Sequence, residues 1–589
     1  MLLCLINVLY YTIMSDPIRM VFTNSVFSLI LLLGLLIYRF IFSKRKINLF
    51  VCLIIISLLP IISVFRPGAY ESGDFNIHIY RIISFYRSLS EGNIIPSWAA
   101  DLNATYGYPL FIFNYQLPYY IISLFHFLGL NFINSMKIYL ALSFIVSGSG
   151  MYLFLSKVLK SKINAFSGSL IYLFAPYHLV SLHFKVALGE TTIFAILPVV
   201  FLSVYEFSKK QTLSKFLLIS LLIFLMFESH AAVAVFSIFI LSLYVGFLVY
   251  KKRFLSLAKI YFVALAIGII MSSYVLLAPI VFKNATITSR EIPNTASFPT
   301  VSDLVYSPWM YGFLYQGHMG EISNTIGFAG ILIIASALFY ISKKTKKIDK
   351  ETLVFWLSLC LLLLFFVTGF SKLFWENALF LKPIGSHRLL ILFSFSISVL
   401  AAYISGKLNK KILFFFLLVV SLSTILNWGH RKVIPSVNDN TLISQMPLST
   451  ARGEGHFYAN SAWVKYSTSW FNKIPDKHLE IISGDGKVKE TFRNTTKHYY
   501  LINAKTPLLV QENTLFFPGW NGVINDRKIM LYPDKKGRIA LTLPEGKYLL
   551  KIWYEDAGLY LFLKAASLAT FFITTTFLIL KPILKKLFG

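Results

Sequence analysis

The chain reads as a polytopic α-helical membrane protein of about thirteen transmembrane helices, with a β-sandwich-like extracytoplasmic domain before the last helix. Three observations predict this. Hydrophobic residues make up 56% of the 589 positions and charged residues only 14%, with a mean hydropathy of +0.68, a balance foreign to soluble domains. Apolar runs of about 18 to 22 residues recur, the length that crosses a hydrocarbon core of roughly 30 Å. From His430 the composition changes, and short alternating stretches separated by turn residues replace the long runs. The net charge of +29 comes from 55 basic and 26 acidic residues, but the basic ones gather in short clusters between apolar runs. That distribution is the positive-inside signal, with anionic lipid as a second reading, and it does not call for nucleic acid.

In order, residues 1–46 form an amino-terminal segment with an extra span, Val21 to Phe42, closed by Ser43-Lys44-Arg45-Lys46 on the cytoplasmic side. Met1 to Ile13 is apolar but lacks the basic start and small-residue site of a cleaved signal. Residues 47–428 form the main transmembrane module. Its first span, Ile47 to Phe65, delivers a large first outer loop, residues 71–116. Leu117 to Leu130 is apolar but short, and a crossing there would put Lys157, Lys160 and Lys162 outside, so it reads as re-entrant or interfacial. Spans then follow near residues 135–155, 163–180, 191–207, 216–227, 231–250 and 257–281. A second outer loop, residues 284–321, precedes spans near 325–341, 353–369, 389–403 and 412–426. Residues 429–556 make the β-rich domain, with strands expected at Lys528 to Tyr532, Arg538 to Leu543 and Tyr548 to Tyr554. Residues 557–589 supply the last helix and a basic cytoplasmic tail. Cys4, Cys52 and Cys360 all lie in apolar segments and offer neither a disulfide framework nor metal spacing.

Chemistry concentrates in the first outer loop. If its start is helical, Asp74, His78 and Arg81 stand at i, i+4 and i+7 and share one face, beside an apolar stripe of Phe75, Ile79, Ile82, Ile83, Tyr86 and Leu89. Asp74 is read either as a general base, or ligand of a divalent cation, with its pKa raised by burial, or as an acid complementing the helix dipole. Glu71 is a second carboxylate or a solvated loop residue. His78 either orients Asp74 and shares its proton or is a hydrogen-bonded structural group. Arg81 suits a bidentate phosphate contact or a local ion pair. Further outer-face candidates for binding substrate are His183, Lys185 and Glu190 in one short connection, and His387 and Arg388 at the start of a later span, with Lys382 nearby. Interfacial anchoring by long basic side chains is the alternative there. His318 and Glu321 in the second loop are weaker candidates, and Glu228 and His230 read as a tight turn between spans. No P-loop, dinucleotide fingerprint, HExxH, GxSxG or paired CxxC is present, so a reactive donor is expected on lipid rather than on a soluble nucleotide.

Gly73-Asp74-Phe75-Asn76-Ile77-His78, then Pro96-Ser97-Trp98 and Tyr106-Gly107-Tyr108-Pro109, resemble the first outer loop of GT-C glycosyltransferases. Phe516-Phe517-Pro518-Gly519-Trp520, followed by Leu543-Pro544-Glu545-Gly546-Lys547-Tyr548 and a closing helix, resemble the carboxy-terminal pattern of YfhO-like bacterial membrane proteins. That group overlaps the one labelled pyruvoyl-tetrahydropterin-synthase-related, a label without pterin chemistry here. The resemblance runs from about Ile47 to Leu580. It implies a GT-C fold in the bacterial cytoplasmic membrane that moves a sugar from a polyprenyl-phosphate donor to a cell-envelope glycan or lipid on the extracytoplasmic face. An acid of the first outer loop is catalytic in such enzymes, and Asp74 matches it. Many members carry two adjacent acids, where this chain has Gly73-Asp74; the extra span before Ile47 is a second departure.

The leading expectation is therefore an inverting GT-C glycosyltransferase, with Asp74 as base and Arg81 or Arg388 steadying phosphate. No cofactor is required beyond a possible divalent cation at Asp74. A transporter or flippase of lipid-linked glycans, and a non-catalytic envelope-assembly factor whose Trp520, Trp553 and Tyr554 stack on sugars, are the alternatives.

Overall fold

The computed structural model describes residues 16–45, 47–286, 298–305, 325–343, 349–378, 385–429, 433–450 and 473–588. Most of the second outer loop, with His318 and Glu321, and Lys382 lie outside these. Among the described residues, seven helices are long and apolar enough to cross a membrane: Arg19–Ile41, Phe132–Leu159, Leu188–Lys209, Leu213–Lys252, Lys350–Val367, Ser386–Ser405 and Gly558–Leu580. An eighth crossing results if Lys162–Leu173 and Pro176–Lys185, bent by 52°, count as one.

Every segment expected to span is helical, yet several are short. Ser256–Met271 and Gly327–Ser342 hold 16 residues each, about 24 Å of helix against a core of roughly 30 Å. Leu117–Phe127, with 11 residues, reaches about half that thickness. The spans expected at 216–227 and 231–250 are one 40-residue helix by hydrogen bonding, broken at His230 where φ is −167° and ψ 93°. The tight turn anticipated there is thus a kink within a helix.

Burial separates the centre from the periphery. In Ser386–Ser405, 89% of the apolar window is buried, against 11% in Arg19–Ile41. The first helix is an appended element facing outward, and the bundle is built around Ser386–Ser405.

The first outer loop is held at both ends. Ala69–Tyr70 (β1) pairs antiparallel with Val433–Ile434 (β2), joining the chain just before Asp74 to the chain just before the β-rich region. Only glycine fits at position 68, where φ is +71° and a Cβ would stand 2.2 Å from the Ile434 carbonyl oxygen. The helix Phe75–Ser90 follows. Rather than lying on a greasy surface with one buried stripe, it is largely enclosed, since Ile77, His78, Tyr80, Arg81, Ser84 and Phe85 are buried along with Phe75, Ile79, Ile82 and Ile83 of the expected stripe, while Tyr86 and Leu89 are partly buried. The rest of the loop covers it, and Gln116 closes that cover by donating from Nε2 to the Pro96 and Phe111 carbonyls at 3.1 and 2.8 Å.

Beyond the helix Asp439–Ser449, a β-sandwich occupies residues 479–554. One sheet has the order β3-β6-β10-β9 and the other β4-β5-β11-β7-β8. These strands are Leu479–Ser483 (β3), Gly486–Arg493 (β4), Lys497–Ala504 (β5), Leu508–Leu515 (β6), Trp520–Ile524 (β7), Arg527–Ile529 (β8), Tyr532–Pro533 (β9), Arg538–Leu543 (β10) and Gly546–Tyr554 (β11). All pairings are antiparallel. The sandwich clasps the outer loop: Leu515 N donates to the Tyr106 carbonyl at 2.9 Å, and Thr495 N donates to Glu91 Oε2 at 2.8 Å. Trp98 stacks on Tyr554 at 5.5 Å and meets Trp520 edge-on at 5.2 Å. Of the three aromatics considered for sugar stacking, Trp520 and Tyr554 are therefore core, sealed by the loop. Lys564 of the last helix completes the clasp, donating to Ser97 Oγ at 2.6 Å and Asp556 Oδ2 at 2.5 Å.

Candidate active site

Asp74 precedes the first turn of Phe75–Ser90 without capping it. Ser72 Oγ accepts from Phe75 N at 3.0 Å instead, and the Asp74 side chain makes no cap hydrogen bond. With the cap position served by Ser72, the dipole reading of Asp74 loses its usual contact. The Asp74 backbone is held from the other side. Gly73 N and Asp74 N donate to the Phe184 and Lys185 carbonyls at 2.7 and 2.8 Å. Those carbonyls end a π-helical turn, Val180–Lys185, terminated by Val186 at φ +56°. The wider turn leaves its last carbonyls pointing out of the helix, where the outer loop takes them.

Around Asp74 charges from four separate elements converge. Glu190, in the first turn of Leu188–Lys209 and 2% exposed, is the organiser. It accepts from Lys185 Nζ at 2.7 Å on both oxygens, from Tyr177 OH at 3.1 Å, from Ser181 Oγ at 3.0 Å and from Arg388 Nε at 3.2 Å. Lys185 also lies over the Tyr177 ring at 4.9 Å. Arg388 comes from the turn Ser386–Leu389 after Gly385; its side chain remains 26% exposed, the most open of the three charges. Gly189 permits close approach of this corner to the kink, since a Cβ there would stand 2.3 Å from the Ser229 carbonyl oxygen.

Burial pushes the half-buried Asp74 carboxyl up to about 6; Lys185 opposes the rise, Glu190 adds to it, and Arg81 and Arg388 oppose it. His78 follows one turn later, with Nδ1 3.2 Å from Tyr119 OH. Burial and the neighbouring Arg81 lower its pKa well below the ordinary value, so it stays neutral near pH 7. Tyr119 also accepts from Asn114 Nδ2 at 2.9 Å. His78 and Arg81 thus lie within the helix Phe75–Ser90, and Asp74 is the non-helical residue that precedes it.

Of the other sequence candidates, Lys185, Glu190 and Arg388 join this cluster directly, and His387 lies 6.5 Å from Tyr177 between ring centroids. His183 stands apart, buried and hydrogen-bonded to the Pro60 backbone. Glu71 is exposed. Sequence reasoning missed Tyr177, Ser181, Tyr115 and Tyr119, and it passed over His230, whose ring stacks on Tyr115 at 5.6 Å. The signal available for His230 was its place at an interruption in a long apolar run.

The arrangement suits an anion better than a divalent cation. Three cations, Lys185, Arg81 and Arg388, face two carboxylates, and Glu190 already accepts from two of those cations. Among the described residues no group of three or more His, Cys, Asp or Glu is placed to hold a metal. A half-buried base beside a fixed pair of cations can take a proton from one group while meeting negative charge that develops on another.

Similar proteins share parts of this chain. An uncharacterized protein of Lactococcus lactis subsp. cremoris is 22% identical over 215 residues, 36% of this chain and 35% of its own length. Arabinofuranosyltransferase AftD from Mycobacteria is 13% identical with a TM-score of 0.44, covering 65% of this chain and 27% of AftD. The Archaeoglobus fulgidus oligosaccharyltransferase is 13% identical with a TM-score of 0.41, covering 73% of this chain and 61% of its own. This chain thus spans about a third of the Lactococcus relative and about a quarter of AftD. Residues 113–434, more than half the chain, match the family described as the 6-pyruvoyl-tetrahydropterin synthase related domain, a membrane protein. The chain therefore belongs to the 6-pyruvoyl-tetrahydropterin synthase related family of membrane proteins.

Proposed function

We propose that this protein is a GT-C type glycosyltransferase that moves a sugar from a polyprenyl-phosphate donor to a glycan or lipid acceptor on the extracytoplasmic face of the bacterial cytoplasmic membrane. The observation that supports this most is the placing of Asp74 on the Lys185 carbonyl, beside the two cations that Glu190 holds. In this reading Asp74 takes the proton of an acceptor hydroxyl as its oxygen forms a bond to the anomeric carbon. The bond from that carbon to the phosphate oxygen breaks in the same displacement, inverting the centre, and its electron pair leaves with the polyprenyl phosphate. Arg388 and Lys185 meet the charge gained by the phosphate, and Arg81 keeps Asp74 ionised.

The test supplies a polyprenyl-phosphate sugar to membranes containing either the wild type or Asp74→Asn. Transfer should fall by a factor of about 10² to 10⁴ in the variant. Equal transfer by both would remove Asp74 from the mechanism, and translocation of intact donor without a transfer product would favour a flippase instead.

A further inference from the structure

The five-stranded sheet of the sandwich turns one face inward and leaves the other open. Register places Lys487, Asn503 and Lys547 in one row across β4, β5 and β11, and Lys489, Leu501 and Leu549 in the next. A third row carries Phe492, Tyr499, Lys551, Val523 and Lys528. Lys497, Trp553 and Asn521 close the face. Alternation in β5, where residues 497, 501 and 503 are exposed while 498, 500, 502 and 504 are buried, confirms which side is outward. Six lysines thus share one face with Phe492, Tyr499 and Trp553, and the positions that register puts there include no Asp or Glu. Among the described residues, Asp526 Oδ1 stands 3.6 Å from Lys551 Nζ and Glu555 accepts from Trp553 Nε1 at 3.2 Å.

The first two rows form a groove of about 640 Å³ with Leu501 and Leu549 on its floor and Lys487, Lys489 and Lys547 around it. From strand spacing, Lys487 and Lys547 stand roughly 10 Å apart across the groove. Leu501 is 49% exposed. Burial of such a side chain under a ligand is favourable, while lysines on every side require that ligand to be negative. In the opposite sheet β6 is almost wholly buried and its last residue bonds the outer loop, whereas Lys487, Lys489, Leu501 and Lys547 of this face are exposed. A groove lined by side chains of β4, β5 and β11 fits a chain laid into it better than a planar bilayer.

We propose that this face binds an anionic glycan. Its sugar rings lie on Leu501, Leu549 and Tyr499, and its carboxylates or phosphates meet Lys487, Lys489 and Lys547. This site lies outside the Asp74 cluster and does not depend on what Asp74 does. Binding to the full chain in detergent would be measured with a long oligogalacturonide, its neutral methyl ester, and vesicles containing anionic lipid. The acidic oligosaccharide should bind, weaken as salt rises, and lose about tenfold or more in affinity in the triple variant Lys487→Gln/Lys489→Gln/Lys547→Gln. The ester should not bind. The thermal midpoint of the triple variant should match that of the wild type, because these lysines are exposed. Equal binding of acid and ester, undiminished binding by the triple variant, or binding of anionic vesicles alone would each overturn the proposal.

Discussion

The pH dependence of transfer is the sharpest test of Asp74, because the environment of this residue sets a window in which an ordinary aspartate would show little. A base must be ionised to accept a proton. With its pKa pushed up to about 6, Asp74 is about nine-tenths ionised at pH 7 and about one-tenth at pH 5, so kcat/KM should fall about tenfold between them. An aspartate at the ordinary value would lose only about 6% over that range. His78, held neutral by burial and Arg81, adds no limb of its own there. The neighbours give the test a sign. Glu190 raises the Asp74 pKa and Lys185 lowers it, so Glu190→Gln should move the acid limb to lower pH and Lys185→Met to higher pH. The assay is initial-rate transfer from a polyprenyl-phosphate sugar across pH 5 to 8, a range chosen around the value of about 6. A flat profile from pH 7 to 5, or limbs that move the same way in both variants, would refute the assignment of Asp74 as the titrating base.

Three structural predictions accompany it. Glu190→Gln leaves Lys185 and Arg388 without their shared carboxylate and should destabilise the protein by about 3 kcal/mol or more; thermal midpoints in one detergent should recover substantially when Lys185→Met is added, and no coupling between the two would contradict the geometry. Gly68→Ala puts a Cβ 2.2 Å from the Ile434 carbonyl oxygen at φ +71°, whereas Gly92→Ala, at φ +92°, meets nothing within 4 Å. The first should cost more than about 2 kcal/mol and the second distinctly less, by the same measurement. In the sandwich, Glu512 is fully buried between Arg493 at 2.8 Å and His498 at 2.9 Å. Burial pushes its carboxyl up, but His498 and Arg493 outweigh that and hold it well below the usual carboxylate range. Such a depressed pKa contributes stability above the unfolded value that is lost as pH falls through the folded one. The destabilisation by Glu512→Gln should therefore be larger at pH 7 than in acid.

The membrane class and the helix at Phe75–Ser90, which carries His78 and Arg81 just after Asp74, were legible from the chain. Each follows from local periodicity or from the length of an apolar run, which backbone geometry translates directly into structure. Family membership was also anticipated, although the matched stretch, residues 113–434, includes neither Gly73 to His78 nor Phe516 to Trp520, the segments that carried the resemblance. Lengths were less legible. Hydropathy marks a run as apolar but does not say where hydrogen bonding breaks it, so two expected spans became one kinked helix at His230.

What the sequence by itself determined is a basic-flanked array of apolar helices, a long polar connection that carries Asp74 at the start of a helix, and a β-domain before the last helix. Tertiary structure alone decided what surrounds that carboxylate. Glu190 grips Arg388 across 198 positions, β1 reaches β2 across more than 360, and Trp98 is enclosed by Trp520 and Tyr554. No periodicity encodes such meetings. They arise when buried charges and rings from distant segments, each costly to leave without a partner, are satisfied together by one packing of the whole chain.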